Sequence, residues 1–247
     1  TILDGESPQI SGMPQDITVT AESGSCHAPA VWGDPNLQDC VSADLSSSHL
    51  SGDLFEIGTT NVVYTAVDPS GNVSEASFNV TVLDQDSPQI SNMPETVIVQ
   101  NTPGLCTGVG TWSDPVGSDC SGIASITPSV LSGSEFPVGN TTVFYSVIDN
   151  SGLETIDSFV VQVQDIDAPT ILNLPETVTV SNQEGNCSGS ASWSSPNTED
   201  CSGTFISADY SSGQMFALGA TTVTYTATDE WGNSSTSSWF CFGSVRS

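Results

Sequence analysis

The sequence has no lysine and one arginine, Arg246, against 29 aspartate and glutamate residues; its formal net charge is −28 at pH 7. Nucleic-acid binding needs Lys and Arg to displace counterions from phosphates, and binding to an anionic membrane surface needs the same cations, so both are excluded. Surface ion pairs cannot hold such a fold together, because their cationic half is missing. No apolar run approaches the roughly 18 residues of a membrane-spanning helix. No signal peptide is recognisable and the sequence starts at Thr1, as expected of a processed or excised chain. Catalytic motifs are absent too. There is no G-x-S-x-G elbow, phosphate loop or dinucleotide fingerprint. The two histidines, His27 and His49, both lie in the first third. A non-enzymatic protein is expected.

The acidity does not imply disorder. Charged residues make up 12% of the chain and hydrophobic ones 36%, whereas disordered acidic chains are poorer in aromatic and β-branched residues. Most of the polar surface is Ser, Thr, Asn and Gly. The negative charge calls for a counter-charge that is not protein, and a multivalent cation is the obvious candidate.

Self-similarity is the strongest positive signal. Three units recur with a period of about 80 residues, opening at Ser7-Pro8, Ser87-Pro88 and Ala168-Pro169, with a further proline at Pro14, Pro94 and Pro175. Cys26/Trp32/Cys40, Cys106/Trp112/Cys120 and Cys187/Trp193/Cys201 follow at one fixed spacing. Phe55, Phe136 and Phe216 precede Gly58, Gly139 and Gly219, and Tyr64, Tyr145 and Tyr225 precede Asp68, Asp149 and Asp229.

These units read as all β. Asp16–Thr20, Thr96–Gln100 and Thr177–Ser181 are short β-branched runs. Thr59–Ala66 and its equivalents are longer, and Phe78–Val82 alternates apolar with polar residues. Turn formers such as Pro69-Ser70-Gly71-Asn72 separate them. No segment carries a helical stripe. The expectation is three tandem immunoglobulin or fibronectin type III-like β-sandwiches in an extended rod, with boundaries 1–85, 86–166 and 167–247. The Trp and Tyr of each unit are the natural core fillers.

One cysteine pair per unit, fourteen residues apart, predicts the intra-unit disulfides Cys26–Cys40, Cys106–Cys120 and Cys187–Cys201. The alternative, a metal site, lacks any C-x-x-C pair or nearby histidine set. Disulfides imply an oxidising compartment, hence an extracellular or cell-surface location. Cys241 is left unpaired, either as a buried thiol in the place of Val80 or as an intermolecular disulfide.

The register of Cys106, Trp112, Pro115, Asp119-Cys120, Ser132-Gly133, Phe136, Gly139, Val143, Tyr145, Asp149 and Gly152, matched in the other units, resembles the HYR (hyalin repeat) domain. The resemblance covers nearly the whole chain. It implies an immunoglobulin-like sandwich in extracellular proteins of adhesion and matrix building, with no catalytic activity. Units one and two depart from it in lacking a further cysteine near their last strands.

The acidic residues concentrate at the junctions, which read D-x-D/E-x-P: Asp4 and Glu6, Asp84 and Asp86, Asp165 and Asp167. In an immunoglobulin-like topology the loops bearing Asp114, Asp119 and Asp149 face the junction before their own unit. Asp200 and Asp229 do so in the third unit, and Asp68 in the first. Such a cluster suits structural Ca²⁺, which takes six to eight oxygens. The competing reading is that the linkers are merely polar and that Asp68-like residues cap turns.

Several further features stand outside this scheme. Five N-x-S/T sequons, at Asn72, Asn79, Asn140, Asn186 and Asn233, are candidate glycosylation sites, with the turn positions Asn72 and Asn233 able to accommodate sugar. Trp231 on a junction-facing turn, and Phe240 and Phe242 facing outward on what reads as an edge strand, are candidate interface residues. Thr1-Ile2-Leu3-Asp4 matches Thr81–Asp84, so residues 1–4 resemble the last strand of a preceding repeat. Either the chain is cut from a longer array, or this strand completes a neighbour and builds head-to-tail fibres. The expected function is a secreted stalk, adhesin segment or filament building block whose partner is itself or an extracellular protein or glycan. A glycan- or protein-binding module using loop aromatics is the rival.

Overall fold

The fold is that of a computed structural model, which describes residues 4–245. The strand expected at Thr1-Ile2-Leu3, and Arg246, lie outside the described residues. The described residues form 24 strands and no helix.

The first repeat contributes eight strands: β1 (Gln9–Ser11), β2 (Ile17–Thr20), β3 (His27–Pro29), β4 (Asn36–Gln38), β5 (Asp44–Ser47), β6 (Leu54–Glu56), β7 (Gly58–Val67) and β8 (Val73–Leu83). A four-stranded sheet runs in the order β2-β8-β7-β5. Two short pairs, β1-β4 and β3-β6, form the opposing layer. β7 and β8 are antiparallel, while β2 lies parallel to β8 with Val19 opposite Val82. The period-two pattern explains the layering. Val62, Tyr64, Phe78, Val80 and Val82 point inward and are buried against Ala28 and Phe55 from the pair β3-β6.

The third repeat copies this plan. Thr177–Ser181 pairs parallel with Ser234–Ser244, which pairs antiparallel with Gly219–Asp229, and Thr204–Ala208 completes the sheet. Its core holds Phe216, Val223, Tyr225, Trp239 and Cys241. Phe240 and Phe242, 51% and 42% exposed, stand on the opposite face with ring centroids 6.1 Å apart. Their strand is central in the sheet, not the edge strand expected, because the parallel partner Thr177–Ser181 covers its outer side. Cys241 is a buried free thiol, whose pKa burial pushes up.

The chain divides into two compact units, and the division runs through the second repeat. One unit holds the residues up to Met93, with Asp114–Ser129 and Phe144–Ser158. The other holds Pro94–Ser113, Val130–Val143 and the chain from Phe159 on.

Within each repeat the tryptophan is the hub. Trp32 meets Phe55 and Phe78 at 5.9 and 5.1 Å, and Trp193 meets Phe216 and Trp239 at 5.9 and 5.0 Å. The second contact is T-shaped in both cases, an arrangement the ring quadrupoles favour. The indole N–H is satisfied in the core: Trp32 donates to the Tyr64 hydroxyl at 2.8 Å, and Trp193 to that of Tyr225 at 2.6 Å.

Removing the Phe216 ring should therefore cost about 3–5 kcal/mol, read as a fall in the denaturation midpoint of Phe216→Ala. Phe205→Ala, at a 72% exposed position, should stay within about 0.5 kcal/mol of the parent. Equal effects would contradict the assigned core.

Candidate functional site: carboxylate triads and disulfides beside the linkers

Each D-x-D/E-x-P linker begins with an aspartate that caps its own chain. Asp4, Asp84 and Asp165 each accept the backbone N–H of the residue two positions on, through Oδ1 at 3.1 Å. The aspartate before the second cysteine is fixed similarly. Asp119 accepts both the N–H and the hydroxyl of Ser121 at 2.8 Å, and Asp200 accepts the same pair from Ser202. The third aspartate opens a tight turn. Asp149 Oδ1 accepts the N–H groups of Ser151 and Leu153 at 2.8 and 2.9 Å, and Asp229 Oδ1 those of Trp231 and Asn233. The turn demands a left-handed residue, supplied by Gly71, Gly152 and Gly232 with φ of 89°, 87° and 92°.

In Asp4, Asp149 and Asp165 one oxygen is spent on the chain's own loop and Oδ2 is left without a hydrogen-bond partner; in Asp68 and Asp229 the second oxygen accepts the side-chain amide of Asn72 or Asn233. Three triads result: Asp4/Asp39/Asp68, Asp84/Asp119/Asp149 and Asp165/Asp200/Asp229. In each, one oxygen per residue lies within 4.8 Å of the others. Asp149 is 1% exposed. Four of the triad oxygens, Oδ2 of Asp4, Asp39, Asp149 and Asp165, are buried without a hydrogen-bond partner. At Asp68 burial opposes ionisation. The Asn72 side-chain amide and the backbone N–H groups of Asn72, Ser70 and Gly71 outweigh it and hold the carboxyl below the usual range. Asp39 was absent from the sequence-based set. The Asp-Cys pair it shares with Asp119-Cys120 and Asp200-Cys201 was the available signal.

Four expected ligands lie elsewhere. Asp86 accepts the Ser23 hydroxyl at 2.7 Å and the Gly24 N–H at 2.6 Å. Asp167 accepts the Gly104 N–H at 2.7 Å and the Asn101 amide at 2.9 Å. Both carboxylates therefore grip the loop of the preceding repeat, two positions beyond the triad aspartate on an extended linker. Glu6, equivalent to them, faces the Cys40 thiol at 4.0 Å. Asp114 accepts the Tyr145 hydroxyl at 2.6 Å, as Asp34 accepts that of Tyr64.

The disulfide pairing differs from the expected one. Cys26 bonds Cys120 and Cys106 bonds Cys201, with Cα–Cα distances of 5.1 and 5.0 Å; Cys40 and Cys187 are exposed free thiols. The reason is which end of the repeat each cysteine occupies. Cys26 follows the loop held by Asp86 of the next linker, whereas Cys40 follows Asp39, in the triad of the preceding linker. A disulfide needs Cα atoms within about 7 Å, which opposite ends of one repeat do not offer. The bonds formed close sequence separations of 94 and 95 residues. In the chain-entropy model such a loop contributes about 4.7 kcal/mol, against about 3 for the short loop expected.

Two of the candidate glycosylation sites make hydrogen bonds through their side-chain amides. The Asn72 side-chain amide donates to the Asp4 carbonyl and Asp68 Oδ2, and that of Asn233 to the Asp165 carbonyl and Asp229 Oδ2. Asn140 and Asn186 are exposed and Asn79 half-buried. Trp231, 37% exposed, lines a cavity with Val138, Gly139, Cys201, Ser202 and Glu230.

The Asp86 clamp has a pH signature. The Ser23 hydroxyl and the Gly24 N–H lower its pKa, against the opposing effect of burial. A carboxylate with a depressed folded pKa stabilises fully above its unfolded value of about 3.9, and that contribution disappears as pH falls through the folded pKa. Asp86→Asn should therefore flatten the decline of melting temperature below about pH 4. A profile parallel to the parent's would contradict the clamp.

The HYR domain family matches residues 3–82, 83–163 and 164–241. Hyalin of Strongylocentrotus purpuratus is 32% identical over 240 residues, 94% of this chain and 20% of that protein. Hyalin of Lytechinus variegatus is 35% identical over 224 residues, 87% and 42% respectively. The chain thus spans between a fifth and two-fifths of these curated relatives. Among solved structures, protocadherin gamma B2 extracellular cadherin domains 1–5 superpose with a TM-score of 0.40 at 14% identity, covering 97% of this chain and 60% of that one. Mouse cadherin-23 EC22–24 gives 0.39 at 14% identity, with coverage of 97% and 99%. With three consecutive matches covering nearly all its residues, the chain belongs to the HYR domain family.

Proposed function

We propose that this chain is a non-enzymatic structural and adhesive repeat protein, a stalk or filament building block, whose repeats are fastened by disulfides and by calcium held in the aspartate triads. Its two disulfides fit an oxidising compartment, so its place is extracellular or on the cell surface. Membership of the HYR domain family accords with an adhesive or matrix-building role.

One observation carries the calcium reading: three equivalent triads of half-buried and buried aspartates, four of whose oxygens are buried without a hydrogen-bond partner. An unpaired buried carboxylate is strongly unfavourable, and no lysine or arginine lies among residues 4–245 to pair with one. The donors are all oxygens, the hard set that Ca²⁺ takes, with carbonyls and water completing six to eight ligands. Zinc or copper would call for histidine or cysteine, which the triads lack. Bound there, calcium would supply the missing positive charge. Asp84, Asp119 and Asp149 come from a linker, a loop and a turn, so one ion would tie three chain segments.

At about 100-fold saturation each site would add about 2.7 kcal/mol. Removing calcium with a chelator should therefore lower the melting temperature by several degrees at constant ionic strength, and adding calcium back should restore it. Identical melting curves with and without the chelator would overturn the calcium part of this reading.

A further inference from the structure

The outer face of the third repeat's sheet is unlike the rest of this acidic chain. Phe240 and Phe242, both exposed, stand side by side on its inner strand Ser234–Ser244. Thr177 and Thr222 flank Phe240, and Thr179 and Ala220 flank Phe242. The four strands of the sheet carry one charged residue between them, Asp229, and it is buried. The acids at the margins are Glu176, one residue before the first of these strands, and Asp209, whose carboxylate is turned onto the Thr224 N–H at 2.8 Å. The corresponding face of the first repeat carries Glu75 opposite Thr65, where the third repeat has Thr236 opposite Thr226. That of the second repeat carries Glu154, which accepts the Ser146 hydroxyl. Asn61 and Thr142, the equivalents of Thr222 in two repeats that a further repeat follows, are exposed, so a following repeat does not cover this face.

We infer that this face is a self-association surface, on which the third repeats of two copies of the chain pack sheet to sheet about a two-fold axis. Charge selects the occupant. Two copies, each with a formal charge of −28, repel one another wherever their carboxylates meet. An uncharged face is where they approach without setting carboxylate against carboxylate. A basic partner would gain nothing here, because these four strands offer it no exposed carboxylate. The inference goes beyond the role proposed above and does not need calcium in the triads.

The size of the face agrees with this occupant. Its two long strands have 11 residues each and the two flanking ones 5. At about 3.4 Å per residue and about 4.8 Å between strands, the face covers roughly 500 Å² per copy. The pair would bury about 1,000 Å², the lower bound for a specific interface, so the contact is reversible rather than permanent. Two twisted sheets pack face to face with their strands about 30° apart. In an isologous contact the same patch serves both copies, and the small Thr and Ala side chains beside each Phe pair leave room for the other copy's rings.

The test is sedimentation equilibrium of the chain in calcium and in chelator, with the exposed thiols of Cys40 and Cys187 alkylated so that no disulfide joins copies. The expected result in both is a reversible monomer–dimer equilibrium. It should strengthen as salt is raised, because screening weakens the repulsion between copies and leaves apolar burial intact. Phe240→Ser and Phe242→Ser should each raise the dimer dissociation constant by about tenfold or more, as the loss of a central aromatic anchor does. Thr222→Glu, which keeps both rings but sets a carboxylate beside Phe240, should do the same. Phe144→Ser, at an exposed position of the second repeat, should leave the dimer unchanged. Circular dichroism matching the parent would establish that the variants fold. A parent that stays monomeric up to millimolar concentration overturns the inference and leaves the face to a glycan or another protein. A dimer that withstands the Phe240, Phe242 and Thr222 variants, that Phe144→Ser weakens as much as they do, or that forms only in calcium overturns it too. A dimer that behaves as expected in a chain whose melting is insensitive to calcium would leave this inference standing and remove the metal from the triads.

Discussion

Three carboxylates within 4.8 Å of one another, repeated three times, are the constraint on which the junctions of this protein depend. At an effective dielectric of about 20, two unit charges 4–5 Å apart repel by about 3–4 kcal/mol. Three such pairs per triad amount to as much as the net stability of a typical domain, about 5–15 kcal/mol. No lysine or arginine lies among residues 4–245 to offset this. Yet the geometry holds the groups together: each of nearly all these aspartates has an oxygen bound by nearby N–H or hydroxyl groups that fix where the carboxylate sits. The proposed calcium resolves the conflict, because one divalent ion turns three mutually repelling pairs into a shared attraction.

The same linker performs a second task. In Asp84-Gln85-Asp86 the first carboxylate turns to the triad of the repeat that follows, and the third reaches back to Ser23 and Gly24 of the repeat before. Residues two apart share a face in a regular strand, but this linker is not a strand, and Asp84 Oδ1 turns onto the Asp86 N–H. The disulfide Cys26–Cys120 closes beside this linker. A charge clamp, a covalent bond and a triad therefore share one short stretch of surface. The dispersed excess of −28 thus becomes, at the junctions, an ordered set of acceptors.

Much of this was legible in the sequence. The β-branched runs at Ile17–Thr20 and Thr96–Gln100 are strands, because only period-two burial accommodates them. Asp84, Asp119 and Asp149 could be brought to one place from topology alone. What stayed hidden depends on which end of a repeat a residue occupies. Cysteines fourteen apart look like natural partners, but the chain between them carries Cys40 to the far end, and spacing carries no such direction. Asp86 and Asp114 look like further ligands until the Ser23 and Tyr145 hydroxyls are found on them. The strand bearing Phe240 and Phe242 looked like an edge because parallel pairing with Thr177–Ser181 leaves no hairpin signature. The contacts of the Asn72 and Asn233 amides with the Asp4 and Asp165 carbonyls span 68 residues and leave no local signal in the sequence.

The central claim is that each triad holds one calcium ion. Calorimetric titration of the chelator-stripped chain with calcium tests it most directly. The account predicts three equivalents per chain, falling to two when Asp149→Asn removes the inward carboxylate of the middle triad. A titration without binding heat, or a stoichiometry unchanged in Asp149→Asn, would contradict it.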